Sequence, residues 1–167
     1  MLFFYNKGTG AWASGRLDGI GAFSSLASGT IPKGWTHVVV AGNRVFFYNA
    51  DATGTSTNAM TGVLDGVGGF TSKQNYGFAT NWTHVAATRN GDLVFYDSAS
   101  GEGMTGRLDA EAKWVLFDGD VAFGRGWTRV AGGGTRSLLF YDHRTGKAAG
   151  GYLTAKGEWR RTVGYTG

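Results

Sequence analysis

A four-residue phrase occurs four times along this 167-residue chain. Phe3-Phe4-Tyr5-Asn6 comes back as Phe46-Phe47-Tyr48-Asn49, Val94-Phe95-Tyr96-Asp97 and Leu139-Phe140-Tyr141-Asp142, in steps of about 45 residues. Three further markers keep the same register. The first is Leu17-Asp18, Leu64-Asp65, Leu108-Asp109 and a degenerate Leu153-Thr154. The second is an aromatic at Phe23, Phe70, Trp114 and Trp159. The third is Gly34-Trp35-Thr36-His37-Val38, then Asn81-Trp82-Thr83-His84-Val85, then Gly126-Trp127-Thr128-Arg129-Val130. Markers in one register define a tandem repeat, with units over 1-33, 34-80, 81-125 and 126-167 of a single repeat domain.

Each unit reads as four short strands, a to d. Strand a is of the Trp35 to Ala41 type and strand b of the Val45 to Tyr48 type. Strand c is of the Met104 to Asp109 type, and strand d carries the aromatic marker. Between a and b, Arg89-Asn90-Gly91-Asp92 predicts a tight hairpin in which both central residues take positive φ. No window keeps a helical period, and the chain holds 30 glycines, each of which weakens a helix. The expectation is an all-β chain. Four-stranded units of this length fit a β-propeller or a β-trefoil. A trefoil needs three units, whereas strands b, c and d occur four times here. Strand b is also apolar at consecutive positions, as in Val45-Phe46-Phe47 and Leu138-Leu139-Phe140. Such runs belong to sheets covered on both faces, as blades are. The reading is a propeller of about four blades, with β-trefoil as the alternative. The first unit lacks strand a, its innermost strand in that reading. Three explanations stay open: a three-stranded blade, homo-oligomers that complete a ring, or a segment of a longer array.

Composition excludes several classes. Hydrophobic residues make up 42% and aromatics 14%, too many for a disordered chain. No apolar run is long enough for a spanning helix, so membrane insertion is not expected. Cysteine is absent, which removes disulfides, thiolate metal sites and cysteine nucleophiles. The formal charge is +4, yet the 16 Lys and Arg are scattered. The densest group is Lys156, Arg160 and Arg161, and no basic stripe of the kind that reads nucleic acid is formed. Met1-Leu2-Phe3-Phe4-Tyr5 has no basic start, so no signal peptide is visible and the compartment is left open.

Catalytic patterns are weak. His37 and His84 share a repeat position with Arg129, which marks framework rather than a unique site. Asp18, Asp65 and Asp109 recur beside turns and read as Asx caps of the c-to-d hairpin. Asp118-Gly119-Asp120 hints at a cation loop but lacks further oxygen ligands. Gly19-Ile20-Gly21 precedes a strand, not the helix a phosphate cradle needs. No enzyme, cofactor or metal is expected.

Binding chemistry is better represented. In a propeller with strand a innermost, the d-to-a and b-to-c loops share one face. The first set brings Trp35, Trp82 and Trp127 with Asn81 and Arg125; the second brings Asn6, Asn49, Asp97 and Asp142, with the loop running from Asn49 to Gly54. Aromatic faces with planar polar groups hold sugars. The same tryptophans also suit a core between blades, and the same Asn and Asp also suit turn starts.

The unit order (Gly-Trp, strand, turn, strand, polar hairpin, aromatic strand) resembles the repeats of tachylectin-2-type β-propeller lectins. Leu93 to Asp97 through Leu108-Asp109 is similar, more distantly, to fucose-binding propeller lectins. The resemblance spans the chain. It implies a non-catalytic lectin with repeated weak glycan sites, multivalent through its blades, and it tilts the compartment towards extracellular. The alternative is a propeller scaffold for a protein or peptide, which the unequal b-to-c loops favour.

Overall fold

The repeat phrase becomes a strand in every unit. The computed structural model describes residues 1–53 and 57–165, so Gly54 of the long b-to-c loop lies outside the described residues. No helix occurs among them. The first unit folds as β1 (Leu2–Tyr5), β2 (Ala11–Leu17) and β3 (Phe23–Thr30). The second is β4 (His37–Ala41), β5 (Arg44–Tyr48), β6 (Ala59–Leu64) and β7 (Phe70–Tyr76). The third is β8 (His84–Ala87), β9 (Asp92–Tyr96), β10 (Glu102–Leu108) and β11 (Trp114–Ala122). The fourth is β12 (Arg129–Gly132), β13 (Ser137–Tyr141), β14 (Ala148–Leu153) and β15 (Trp159–Tyr165).

Each unit is its own antiparallel meander: one sheet of three strands and three of four, with neighbours in sequence paired in space. These are four blades of a β-propeller, as the repeat count requires, and the trefoil alternative falls. The first blade lacks strand a. The blades group into two compact units, Met1–Thr80 and Asn81–Gly167.

Within the first unit, blades 1 and 2 share a core of Val45, Phe47, Met60 and Leu64 packed against Phe3, Tyr5 and Phe70. Within the second, Val94 and Tyr96 of blade 3 meet Leu138 and Phe140 of blade 4. Strand b is covered on both faces in β5 and β9, where Val45 to Tyr48 and Leu93 to Tyr96 are all 0% exposed. In β13 the pattern alternates instead. Leu138 and Phe140 turn to blade 3, whereas Leu139 and Tyr141 are exposed. The apolar run therefore overstates coverage in blade 4, because a consecutive run does not say which face has a neighbour.

Each sequence marker has a physical job. The aromatic that opens strand d lies across a glycine of strand c. A Cβ on Gly15, Gly62, Gly106 or Gly151 would enter the ring of Phe23, Phe70, Trp114 or Trp159 respectively. The acid after strand c closes the c-to-d turn. Asp109 accepts the N–H groups of Glu111 (3.0 Å) and Lys113 (2.8 Å), and Asp18 and Asp65 do the same in their blades. Thr154 takes over with its hydroxyl, which accepts from Glu158 at 3.2 Å. These turns are the Asx caps expected from sequence.

The Asn90-Gly91 turn differs from expectation. Gly91 has φ of 90°, but Asn90 is not among the residues at positive φ. Gly91 N–H donates to Thr88 C=O at 3.0 Å, and Thr88 N–H donates to Asp92 C=O at 2.9 Å. The loop is thus three residues, Arg89 to Gly91, with glycine alone in the left-handed position, not a two-residue primed turn. The Thr88 hydroxyl accepts from Asp92 N–H at 3.2 Å and so favours this wider closure.

Candidate binding site

The tyrosine of the repeat phrase ties strand b to the connector that leads into the next blade. Tyr5, Tyr48 and Tyr96 donate their hydroxyls to the carbonyls of Pro32 (2.9 Å), Ala79 (2.6 Å) and Gly124 (2.9 Å). Tyr96 also accepts the Trp127 N–H at 3.1 Å. The connector crosses the preceding b-to-c turn through backbone bonds, Gly34 N–H to Lys7 C=O and Gly126 N–H to Ser98 C=O. The d-to-a and b-to-c loops therefore meet, as the strand order predicts.

The threonine after each tryptophan completes this joint. Thr83 donates its hydroxyl to Tyr96 C=O at 3.1 Å and accepts Ser98 N–H at 2.9 Å. Thr36 and Thr128 repeat the arrangement. His37 and His84 each place Nδ1 at 2.8 Å from the neighbouring threonine hydroxyl, and His84 Nε2 sits 3.0 Å from Thr128 C=O. Both imidazoles are part of the framework.

The tryptophans split in role. Trp35 is buried in the core of blades 1 and 2 and tilts against Phe47. Trp82 is half-buried, edge-on to Phe95, and its indole N–H has no partner among the described residues. Trp127 is half-buried against Phe140 and donates its indole N–H to Phe123 C=O at 3.0 Å. Of the three, Trp127 lines a cleft.

The Asn and Asp residues at the ends of strand b start turns. Asn6, Asn49, Asp97 and Asp142 each accept the N–H of the residue two positions on: Gly8, Asp51, Ala99 and Arg144. Asn81 lies 3.5 Å from Asp97 Oδ2 through its amide nitrogen. Arg125 donates its Nε–H to Ser100 C=O at 2.9 Å. Backbone and side-chain hydrogen bonds hold the Asp97 carboxyl below its ordinary pKa against the opposing effect of burial, which is the largest single influence.

Three of these residues, Arg125, Trp127 and Asp142, converge on one cleft of about 530 Å³ in blade 4. The Asp142 carboxylate accepts from Arg144 Nε–H at 3.1 Å and from the Thr145 hydroxyl at 2.8 Å. Those bonds, that to Arg144 first, lower its pKa to about 2. Arg144 also donates from Nη2 to Gly126 C=O at 3.1 Å, so it bridges turn and connector. A second cleft of about 500 Å³ adjoins the first, shares Gly126, Trp127 and Arg144 with it, and takes in His84, Arg129 and His143.

Lys147, Arg161 and Tyr165 also line the first cleft, and sequence reasoning placed neither these three nor Arg144 in a site. Their separation along the chain hides them, and only the pairing of β14 with β15 brings them together. Charge counted per repeat would have exposed the site: residues 126-167 carry seven Lys and Arg against two Asp and Glu, whereas 81-125 carry four against seven. Asp118-Gly119-Asp120 lies within β11 rather than in a loop, with Asp120 N–H donating to Asp118 Oδ1 at 3.0 Å, and no cluster of metal-ligating side chains occurs among the described residues.

The chain matches no protein-family model and no curated protein. Its fold is similar to solved structures. One is a protein from Lactobacillus plantarum, 14% identical over 93% of this chain and 49% of that one, with a TM-score of 0.59. Another is virginiamycin B lyase from Staphylococcus aureus, 13% identical over 96% of this chain and 50% of that one, with a TM-score of 0.51. The chain spans about half the length of these structures. At such identity the likeness establishes the class, a β-propeller, and nothing of the chemistry.

Proposed function

We propose that this protein is a non-catalytic carbohydrate-binding propeller module. One observation carries the reading. The blade 4 cleft combines the aromatic side chains of Trp127 and Tyr165 with planar polar groups, the Asp142 carboxylate and the Arg144 guanidinium, held at fixed angles by hydrogen bonds. An aromatic surface beside pre-oriented planar donors and acceptors is what a pyranose ring requires: apolar C–H groups on one side, hydroxyls on the other. The reading rests on this one cleft rather than on a site repeated in every blade. Self-association that completes a ring, and so multiplies weak sites, belongs to the same proposal.

The test is a glycan-array screen of the purified chain with its solution mass determined on the same sample. Selective binding to a sugar class supports the reading, and the mass gives the number of clefts acting together. Silence across a broad array from folded protein refutes it and leaves the peptide-scaffold reading, which the differing b-to-c turns favour.

A further inference from the structure

The ligand class follows from what blade 4 places around its cleft and the other blades do not. This inference rests on the carbohydrate reading above. In every blade the residue two after the strand b marker gives its backbone N–H to the turn, and that bond does not dictate which side chain stands there. The residue is Gly8, Asp51, Ala99 and Arg144 in the four blades. The residue whose carbonyl receives the marker's own N–H is Ala11, Glu102 and Lys147 in blades 1, 3 and 4. Between blades 3 and 4 these two positions change from alanine and an acid to two cations. Arg161 adds a third, its guanidinium lying over Gly164 inside the cleft, and Arg125 a fourth.

Asp142 is the one acid in the lining, and Arg144 and Thr145 already engage it. Among the described residues neither Lys147 nor Arg161 is paired with an acid, and both are exposed. Like charges gathered in a concavity repel one another unless an anion enters. The cations gather at one end of blade 4 and on the connector from blade 3, whereas a polynucleotide needs a track that neutralises successive phosphates.

We infer that the blade 4 cleft selects sugars that carry a carboxylate or a sulfate group. The anionic group sits between Arg144, Lys147 and Arg161, with the ring against Trp127 and Tyr165. Charge-assisted hydrogen bonds supply the preference, and because the cations are solvated the preference weakens as salt rises.

The experiment titrates the intact chain with lactose, sialyllactose, sulfated lactose and oligothymidylate, each at low and high sodium chloride. Expected is binding of one or both acidic sugars about tenfold tighter than lactose at low salt, a gap of about 1.4 kcal/mol. Lys147→Gln and Arg161→Gln bring the acidic sugars down to the level of lactose, while Lys113→Gln, in the c-to-d turn of blade 3, changes nothing. The sialylated and sulfated arms distinguish carboxylate from sulfate. Lactose bound as tightly as its acidic forms overturns the inference and leaves the carbohydrate reading standing. No binding of any sugar overturns both. Tighter binding of oligothymidylate, lost in the same variants, overturns the inference in favour of a polynucleotide. Acidic-sugar binding that survives both substitutions also overturns it, by placing the site elsewhere.

Discussion

Replacing Tyr96 by phenylalanine removes one oxygen atom and unfastens the joint between blades 3 and 4. The hydroxyl is in the middle of a relay: it donates to Gly124 C=O at 2.9 Å and accepts from Trp127 N–H at 3.1 Å. The ring itself is fully buried against Phe123 and Phe140 and stays in place, so no cavity beyond the oxygen is made. Each lost bond is worth about 1 kcal/mol, and a backbone group left unpaired at a partly buried site raises that figure, so a total of about 2–3 kcal/mol is expected. Tyr141 is the internal control. It holds the same repeat position, is 38% exposed, and its hydroxyl bonds to nothing among the described residues. Tyr141→Phe should shift stability by less than about 0.5 kcal/mol. Urea unfolding followed by tryptophan fluorescence gives both numbers from one assay. Equal, small losses in the two variants would refute the argument that the tyrosine marker exists to fasten the connector.

Three further outcomes follow from other features. Burial pushes the Tyr96 phenol above its ordinary pKa, so the folded state favours the neutral form; stability should hold up to about pH 10 and fall above it, less so in Tyr96→Phe, by pH-dependent melting. Asp92 is fully buried with Arg136 Nε at 3.6 Å, and burial, opposed by that arginine, raises its pKa above 3.8. A raised folded pKa means that the ionised form destabilises at neutral pH. Wild type should therefore gain stability relative to Asp92→Asn as pH falls from 7 towards about 4, read as the difference in Tm. Gly106→Ala places a methyl inside the Trp114 ring and should cost about 1–3 kcal/mol, whereas Gly66→Ala, with nothing within 4 Å of the added carbon, should be near neutral in the same melts.

The repeat phrases expose the fold because most of them do the same job from blade to blade. Tyr96 fastens a connector, Thr83 closes the a–b pair onto the turn, Asp109 caps a hairpin and Trp114 covers Gly106. Jobs repeated in this way leave letters at a fixed period, and a period is visible without coordinates. The Asn90-Gly91 geometry was not visible, since the same dipeptide serves loops of two and of three residues and the Thr88 hydroxyl decides between them. Nor was the division among Trp35, Trp82 and Trp127. Their flanking sequences are nearly identical, and only the neighbours across the sheet decide which indole faces a cleft. The basic cleft escaped for a related reason. Arg144, Lys147 and Arg161 break the repeat rather than follow it, so a search for periodicity passes over them.

The Asx turn after strand b has a consequence for how such a chain changes over time. The bond common to all four blades uses the side chain of the first residue and the backbone N–H of the third, where Gly8, Asp51, Ala99 and Arg144 stand, and the guanidinium bonds of Arg144 are an addition peculiar to blade 4. That third position is a socket. Whatever is plugged into it alters the chemistry at the mouth of one blade without asking anything of the core, and each blade holds its own copy. Duplicated blades can therefore drift apart in ligand preference while remaining interchangeable as parts. The same separation lets an engineer move Arg144 and Lys147 into blade 3, as Ala99→Arg and Glu102→Lys, and leave the hydrogen bonds that shape the turn untouched.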